Sequence, residues 1–423
     1  MIQDLSLGGP LRILAEKTEA KGVVSLGVWF DRGSRDEGEP LIGATHFIEH
    51  MLFKGTPTRS AATAARQIDA LGGVINAFTE RECMALYCTV PSESFSQAME
   101  ILSDLVNHSL FDPQEFERER AVIENEIESA DDDPEEVAYD VFFRRLWGTH
   151  PLGRKIGGTV AEVRTLSRSS VVDFYNSAFL SHVSVISVAG DVDFDEVVDA
   201  CAPFTVGRAT SPEPQNREGP LLSQSSFSFY EVISAQSLQF FYGYPRIGRF
   251  NEDDYYTLEV ANVAIGDSMG SRLFQELREQ RGLCYSVYSS PVLFSDASLW
   301  FVYASASVPK GSELVQRIHE SLGVLKQRGL EEKELETAKA HLRGMIRIAS
   351  QDTEYRMRRL ARQALSRGPL LSREEAINKV NRVTLDQVRQ TMEWFFAQPP
   401  VLFAAGPRSG KQALTKTFNH VTP

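Results

Sequence analysis

The chain has little cysteine: four thiols, Cys83, Cys88, Cys201 and Cys284, in 423 residues. None forms a C-x-x-C pair, so a disulfide framework is excluded and buried reduced thiols in a reducing compartment are expected. No uninterrupted apolar run is long enough to cross a bilayer, which excludes a membrane-spanning helix. The first six residues, Met1 to Ser6, carry neither a basic stretch followed by an apolar one nor an arginine-rich pattern. They give no sign of a leader, and the cytoplasm is the expected location. Positive charge is also in short supply, with 44 Lys and Arg against 57 Asp and Glu and a formal charge of −13. Nucleic acid is therefore excluded as a partner, since phosphate binding needs a basic footprint. What remains, 42% hydrophobic and 24% charged residues, describes a globular protein with no membrane partner. Its length is enough for two domains.

Histidine is scarce too, eight in all, yet two of them fall in the five-residue stretch His46-Phe47-Ile48-Glu49-His50. On a helix, His46 and His50 stand one turn apart and reach a common point, with Glu49 bordering it. This is the H-x-x-E-H pattern, the inverted form of a zinc-protease signature. Neutral imidazole suits Zn²⁺, and a neighbouring carboxylate can take a proton from water polarised by the metal.

The stretch 205–224, rich in proline, glycine and polar side chains, is expected to be a linker between residues 1–204 and residues 225–423. The two halves look like remote copies of one unit. Ser167 and Thr384 are each placed to cap a helix. An apolar strand follows each helix, Val183 to Val188 and Val401 to Ala404, and each ends in Ala-Gly, at Gly190 and at Gly406. Around these, strands alternate with helices, including helices over 45–53, 61–71, 92–107 and 113–129. The fold class read from this pattern is α+β: two homologous sandwich-like domains, each a mostly antiparallel sheet with helices packed on one face. The second half has no H-x-x-E-H of its own.

A catalytic zinc commonly takes three protein ligands, so a third should come from another element. The segment Glu115 to Glu128 sets Phe116, Val122, Ile123 and Ile127 in a broadly helical pattern among glutamates. Spacing alone does not choose between Glu119, Glu124, Glu126 and Glu128.

With these blocks in view, the chain resembles, nearly end to end, the pitrilysin/insulysin (inverzincin) family of zinc metallopeptidases. Within it, the resemblance is to the branch of about this length that includes the mitochondrial processing peptidase. The resemblance is carried by Gly43 to Thr56, by Gly72 to Thr79, by Arg118 to Glu126 and by Ser271 to Tyr285. It implies one Zn²⁺ per chain held by His46, His50 and Glu126, with Glu49 as the base. Glu119, two helical turns before Glu126, would accept a histidine's remaining N–H. Arg278 and Tyr285 would contact substrate and complete the catalytic set, so that the second domain contributes substrate contacts. Asn76, Ala77 and Phe78 would form an edge strand to which an extended peptide adds. Met84 replaces a threonine common in relatives, a departure expected to alter local substrate contacts. The implied activity is zinc-dependent endopeptidase action on short or unfolded polypeptides, by a homodimer enclosing a cavity. The alternative is a catalytically silent peptide-binding or assembly subunit.

Overall fold

The computed structural model describes residues 2–6, 11–19, 21–204, 217–221, 227–233 and 235–421. They form two compact units, each drawing on both halves of the chain. The first comprises Met1–Ser129, Arg154–Asn216 and Arg347–Ser372, and the second Ala130–Gly153, Arg217–Ile346 and Arg373–Pro423. The switch at Asn216 falls inside the expected linker 205–224, most of which lies outside the described residues. Residues 130–153 and 347–372 are exchanged, so the units are not the continuous segments 1–204 and 225–423. Four helices matter below: α1 (Ala44–Leu52), α2 (Pro113–Asp131), α3 (Pro134–Trp147) and α4 (Thr353–Leu365).

The first unit is built on strands β1 (Ile2–Ser6), β2 (Arg12–Lys17), β3 (Val23–Phe30), β4 (Val74–Thr79), β5 (Met84–Pro91) and β6 (Val183–Gly190). They pair in the order β1-β2-β6-β3-β5-β4, antiparallel except for β2 with β6. The central strands are apolar on both faces, and both faces are covered. Val24, Leu26, Val28 and Phe30 pack against α1 and α2 on one side. On the other, Leu14, Trp29, Ala85, Tyr87 and Val185 pack against Met357, Leu360, Ala361 and Ala364 of α4. The helical layer expected on one face is thus joined by a helix lent from the far half of the sequence. Met84 lies fully buried in the first of these clusters, so its expected effect on substrate contacts is not borne out.

The second unit repeats the plan with β7 (Phe227–Glu231), β8 (Ser237–Ile247), β9 (Ser286–Leu293), β10 (Ala297–Ser307) and β11 (Val401–Gly406), in the order β7-β11-β8-β10-β9. Here too one parallel pair, β7 with β11, interrupts an antiparallel sheet. Its exchanged helix, α3, stacks Phe142 on Phe241 at 4.6 Å.

Two pairs of glycines show that the copies match in detail. Gly190 and Gly406 both take positive φ, 151° and 154°, and a side chain on either would run into the first residues of the next strand, at Val23 and Ser237. Gly27 and Gly243 both lie mid-strand where the exchanged helix comes closest. An added Cβ would sit 2.8 Å from Met357 Sδ at the first and 2.7 Å from Phe142 Cζ at the second. The side chain is missing at each place because a neighbouring element occupies its volume. All four cysteines are unpaired and buried. Among the described residues, no helix is long and apolar enough to cross a membrane.

Helix α4 is pinned by charge as well as by packing. Glu16 on β2 is buried, and its two oxygens accept from Arg356 at 3.1 Å and Arg359 at 2.5 Å. Removing one partner of such a group leaves the others desolvated and unpaired, at a cost of about 3 kcal/mol. Glu16→Gln is therefore expected to lower the free energy of unfolding by that amount, read as a fall in the denaturant midpoint by circular dichroism. An unchanged midpoint would show that α4 is held by its apolar face alone.

Candidate metal centre

Helix α1 is buried on every side but one. Ala44, Thr45, Phe47, Ile48, Met51 and Leu52 face the core, and His46, Glu49 and His50 occupy the remaining strip. Its N-terminus is held by a residue the sequence reading did not single out. Glu37 accepts the N–H of Gly43 at 2.8 Å and of Thr45 at 2.7 Å, satisfying two donors that a helix start leaves open. Burial pushes the Glu37 carboxyl up to about 7, against the opposing pull of the donors from Thr45 and Gly43 and of Arg154.

Helix α2 is locked to α1 by an aromatic stack. Phe116 lies 4.2 Å from Phe47, ring centre to ring centre, and the Arg120 guanidinium sits over Phe116. The buried stripe of α2 is Phe116, Glu119, Ile123 and Ile127, so one carboxylate lies among the apolar positions. Of the four glutamates left open by spacing, Glu124 pairs with Arg164 at 2.8 Å and Glu128 is exposed. Glu126 turns towards the imidazoles, its Oε2 3.3 Å from His50 Nε2 and 3.8 Å from His46 Nε2. Among the described residues, His46, His50 and Glu126 form the one group whose donor atoms could share a metal ion, all within 4.8 Å of one another.

The fit to zinc follows from the donors themselves. Atoms bound at about 2.0–2.1 Å in a tetrahedral site lie about 3.3–3.4 Å apart; the Glu126–His50 separation of 3.3 Å matches this, and that of Glu126 and His46, 3.8 Å, is wider. Glu119 Oε2 stands 3.1 Å from His50 Nδ1. That contact assigns the ring proton to Nδ1 and leaves the Nε2 lone pair facing Glu126. Burial, and next the neighbouring His50, push His46 down to about 4, so its ring is neutral at physiological pH, the form that binds a metal. His46 Nδ1 has no hydrogen-bond partner among the described residues.

Glu49, the intervening carboxylate, accepts a hydrogen bond of 2.6 Å from the Thr79 hydroxyl at the end of β4. The stretch Asn76, Ala77 and Phe78 precedes it on the same strand, which is the sheet's edge. The Ala77 N–H is taken by the Asn76 side chain at 2.8 Å. The Phe78 ring lies under the Arg358 guanidinium of α4 at 5.0 Å. Arg278 and Tyr285 belong to the second unit. The Arg278 guanidinium stacks over Phe274 at 4.9 Å, on a stretch, Phe274–Gln280, wound as a π-helix. Tyr285 is 64% exposed, with its N–H bonded to the Ser305 carbonyl.

Residues 12–160 match the family model described as Insulinase (Peptidase family M16), and residues 165–342 match that of the Peptidase M16 inactive domain. The chain belongs to peptidase family M16. It is 34% identical to an uncharacterized zinc protease of Mycobacterium leprae over 97% of this chain and 93% of that protein. It is 31% identical to the uncharacterized zinc protease YmxG of Bacillus subtilis, over 96% and 98%. Its fold is that of the Pseudomonas fluorescens structure described as a peptidase M16 inactive domain, with a TM-score of 0.88 and 20% identity over 96% and 98% of the two chains. Zinc is the M16 metal, and this chain is zinc-protease-like. The inactive-domain match falls on the half without H-x-x-E-H, where helix Tyr255–Ile265 carries no histidine.

Burial raises the Glu49 pKa, and the Thr79 hydrogen bond opposes that rise. Thr79→Val removes the opposing contact, so if Glu49 serves as a base that must be ionised, activity would be lost at a higher pH. The acid limb of kcat/KM for peptide cleavage is expected to move upward in Thr79→Val. An unmoved limb would mean that Thr79 does not act on the base.

Proposed function

We propose that this M16 chain is a zinc-dependent endopeptidase that hydrolyses peptide bonds of short or unfolded polypeptides. The observation that carries the reading is the approach of Glu126, from a second helix, to both imidazoles, with Glu49 beside them on the half-buried strip of α1. His46, His50 and Glu126 would hold the ion. When bound, zinc supplies Lewis-acid polarisation of the scissile carbonyl and acidifies water to a pKa of about 7.

The chain's own groups do the rest. Glu49, oriented by Thr79, accepts the proton of the attacking water and returns it to the leaving amine. Glu119 holds the His50 ring through Nδ1, which would leave its Nε2 lone pair free for the ion. The open edge of β4 offers main-chain groups to an extended peptide, a mode that demands little of the peptide's sequence. Such a strand must displace Asn76 from the Ala77 N–H. Arg278 and Tyr285 as substrate contacts rest on the family resemblance together with the exposure of Tyr285. The cytoplasmic location and the homodimer enclosing a cavity likewise rest on the sequence and the resemblance. Light scattering on the intact chain reads the oligomer directly.

The test is a digest of a mixed peptide library by wild type and Glu49→Gln, with zinc content measured on both. Wild type is expected to cleave. The variant is expected to keep its zinc and to lose at least about 10²-fold in rate, the usual contribution of a positioned base. Cleavage persisting in Glu49→Gln would remove Glu49 from the role. Zinc-loaded wild type that cuts nothing would favour the silent binding subunit.

A further inference from the structure

Glu119 has a second partner that the metal reading leaves unused. The residue is 5% exposed, with Oε2 on His50 Nδ1 at 3.1 Å and Oε1 on the Lys54 ammonium at 2.6 Å. Lys54 lies two residues past the end of α1, in the turn that closes the helix, and its ammonium reaches the same carboxylate as the His50 ring. The turn that carries it is fixed. The Lys54 N–H bonds to the Met51 carbonyl, and the Leu110 N–H to the Gly55 carbonyl. Asp104 then gathers Thr56 at 2.6 Å, Thr58 at 2.9 Å and Arg59 at 2.6 Å. A flexible lysine side chain is thereby anchored at its root and tied at its tip.

We infer that Lys54 is a positioning residue for the zinc site, acting through Glu119 on His50. A buried carboxylate needs donors on both oxygens. With only the imidazole N–H as partner, Glu119 could rotate about its terminal bond or swing towards solvent and release the ring. With Lys54 on Oε1, the carboxylate plane is set and Oε2 stays on Nδ1, so the His50 lone pair stays on the ion. This inference rests on the reading of His46, His50 and Glu126 as zinc donors.

The experiment measures zinc affinity of the metal-free full-length chain by competition with a chromophoric chelator. It compares wild type, Lys54→Met, Lys54→Arg, Glu119→Gln and the Lys54→Met/Glu119→Gln double variant. Circular dichroism of each metal-free chain checks folding. Outer partners of metal ligands are worth about 10–100-fold in affinity. Lys54→Met is expected to lose at least about tenfold of it, and Lys54→Arg to restore most of that loss. In the Glu119→Gln background, Lys54→Met should cost nothing further, because the path to the ring is already cut. Wild-type affinity in Lys54→Met, or an undiminished loss in the Glu119→Gln background, would overturn the inference. A folded wild-type chain that binds no zinc would instead overturn the site reading beneath it. If Lys54→Met fails to fold, Lys54→Arg decides, since a loss there equal to that of Glu119→Gln would contradict rescue by a second cation.

Discussion

Holding the Glu126 carboxylate of one helix against the two imidazoles of another is the constraint on which the first unit's chemistry depends. An anion and two neutral ring nitrogens do not gather at one point unaided, because their lone pairs repel. The fold enforces the meeting through the Phe47–Phe116 stack, the core beneath both helices and the Glu37 grip on the start of α1. A divalent cation is what makes the enforced geometry favourable, and zinc, the metal of family M16, suits two imidazoles and a carboxylate.

The surroundings divide their work by polarity. Burial keeps His46 neutral and raises the pKa of Glu49. Hydrogen bonds add to this, with Thr79 opposing the rise at Glu49 and Glu119 fixing the tautomer of His50. The second unit keeps the order of five of the six strands, the matched glycines and an exchanged helix of its own, but no histidine on helix Tyr255–Ile265. The scaffold therefore forms without the metal residues, as expected if packing rather than coordination determines it.

Much of this was legible in the sequence. Helix α1 lies within one residue of the stretch read from its pattern, and the Ala-Gly endings at Gly190 and Gly406 mark a shared steric need. The two exchanged helices were not read. Their apolar faces match sheets formed elsewhere in the chain, and nothing local announces such a partner. Spacing could not separate Glu126 from its neighbours because α2 carries glutamate on several faces. The buried stripe at Phe116, Ile123 and Ile127, with Glu119 within it, was a usable hint. Glu37, Thr79 and Lys54 act through tertiary contacts, which nothing in the local sequence announces.

The most direct measurement is zinc K-edge X-ray absorption on the loaded, full-length protein. Four light scatterers at about 2.0–2.2 Å, two of them with the multiple-scattering signature of imidazole, are predicted. A sulfur shell at about 2.3 Å, or a spectrum without imidazole, would place the metal elsewhere and contradict the account.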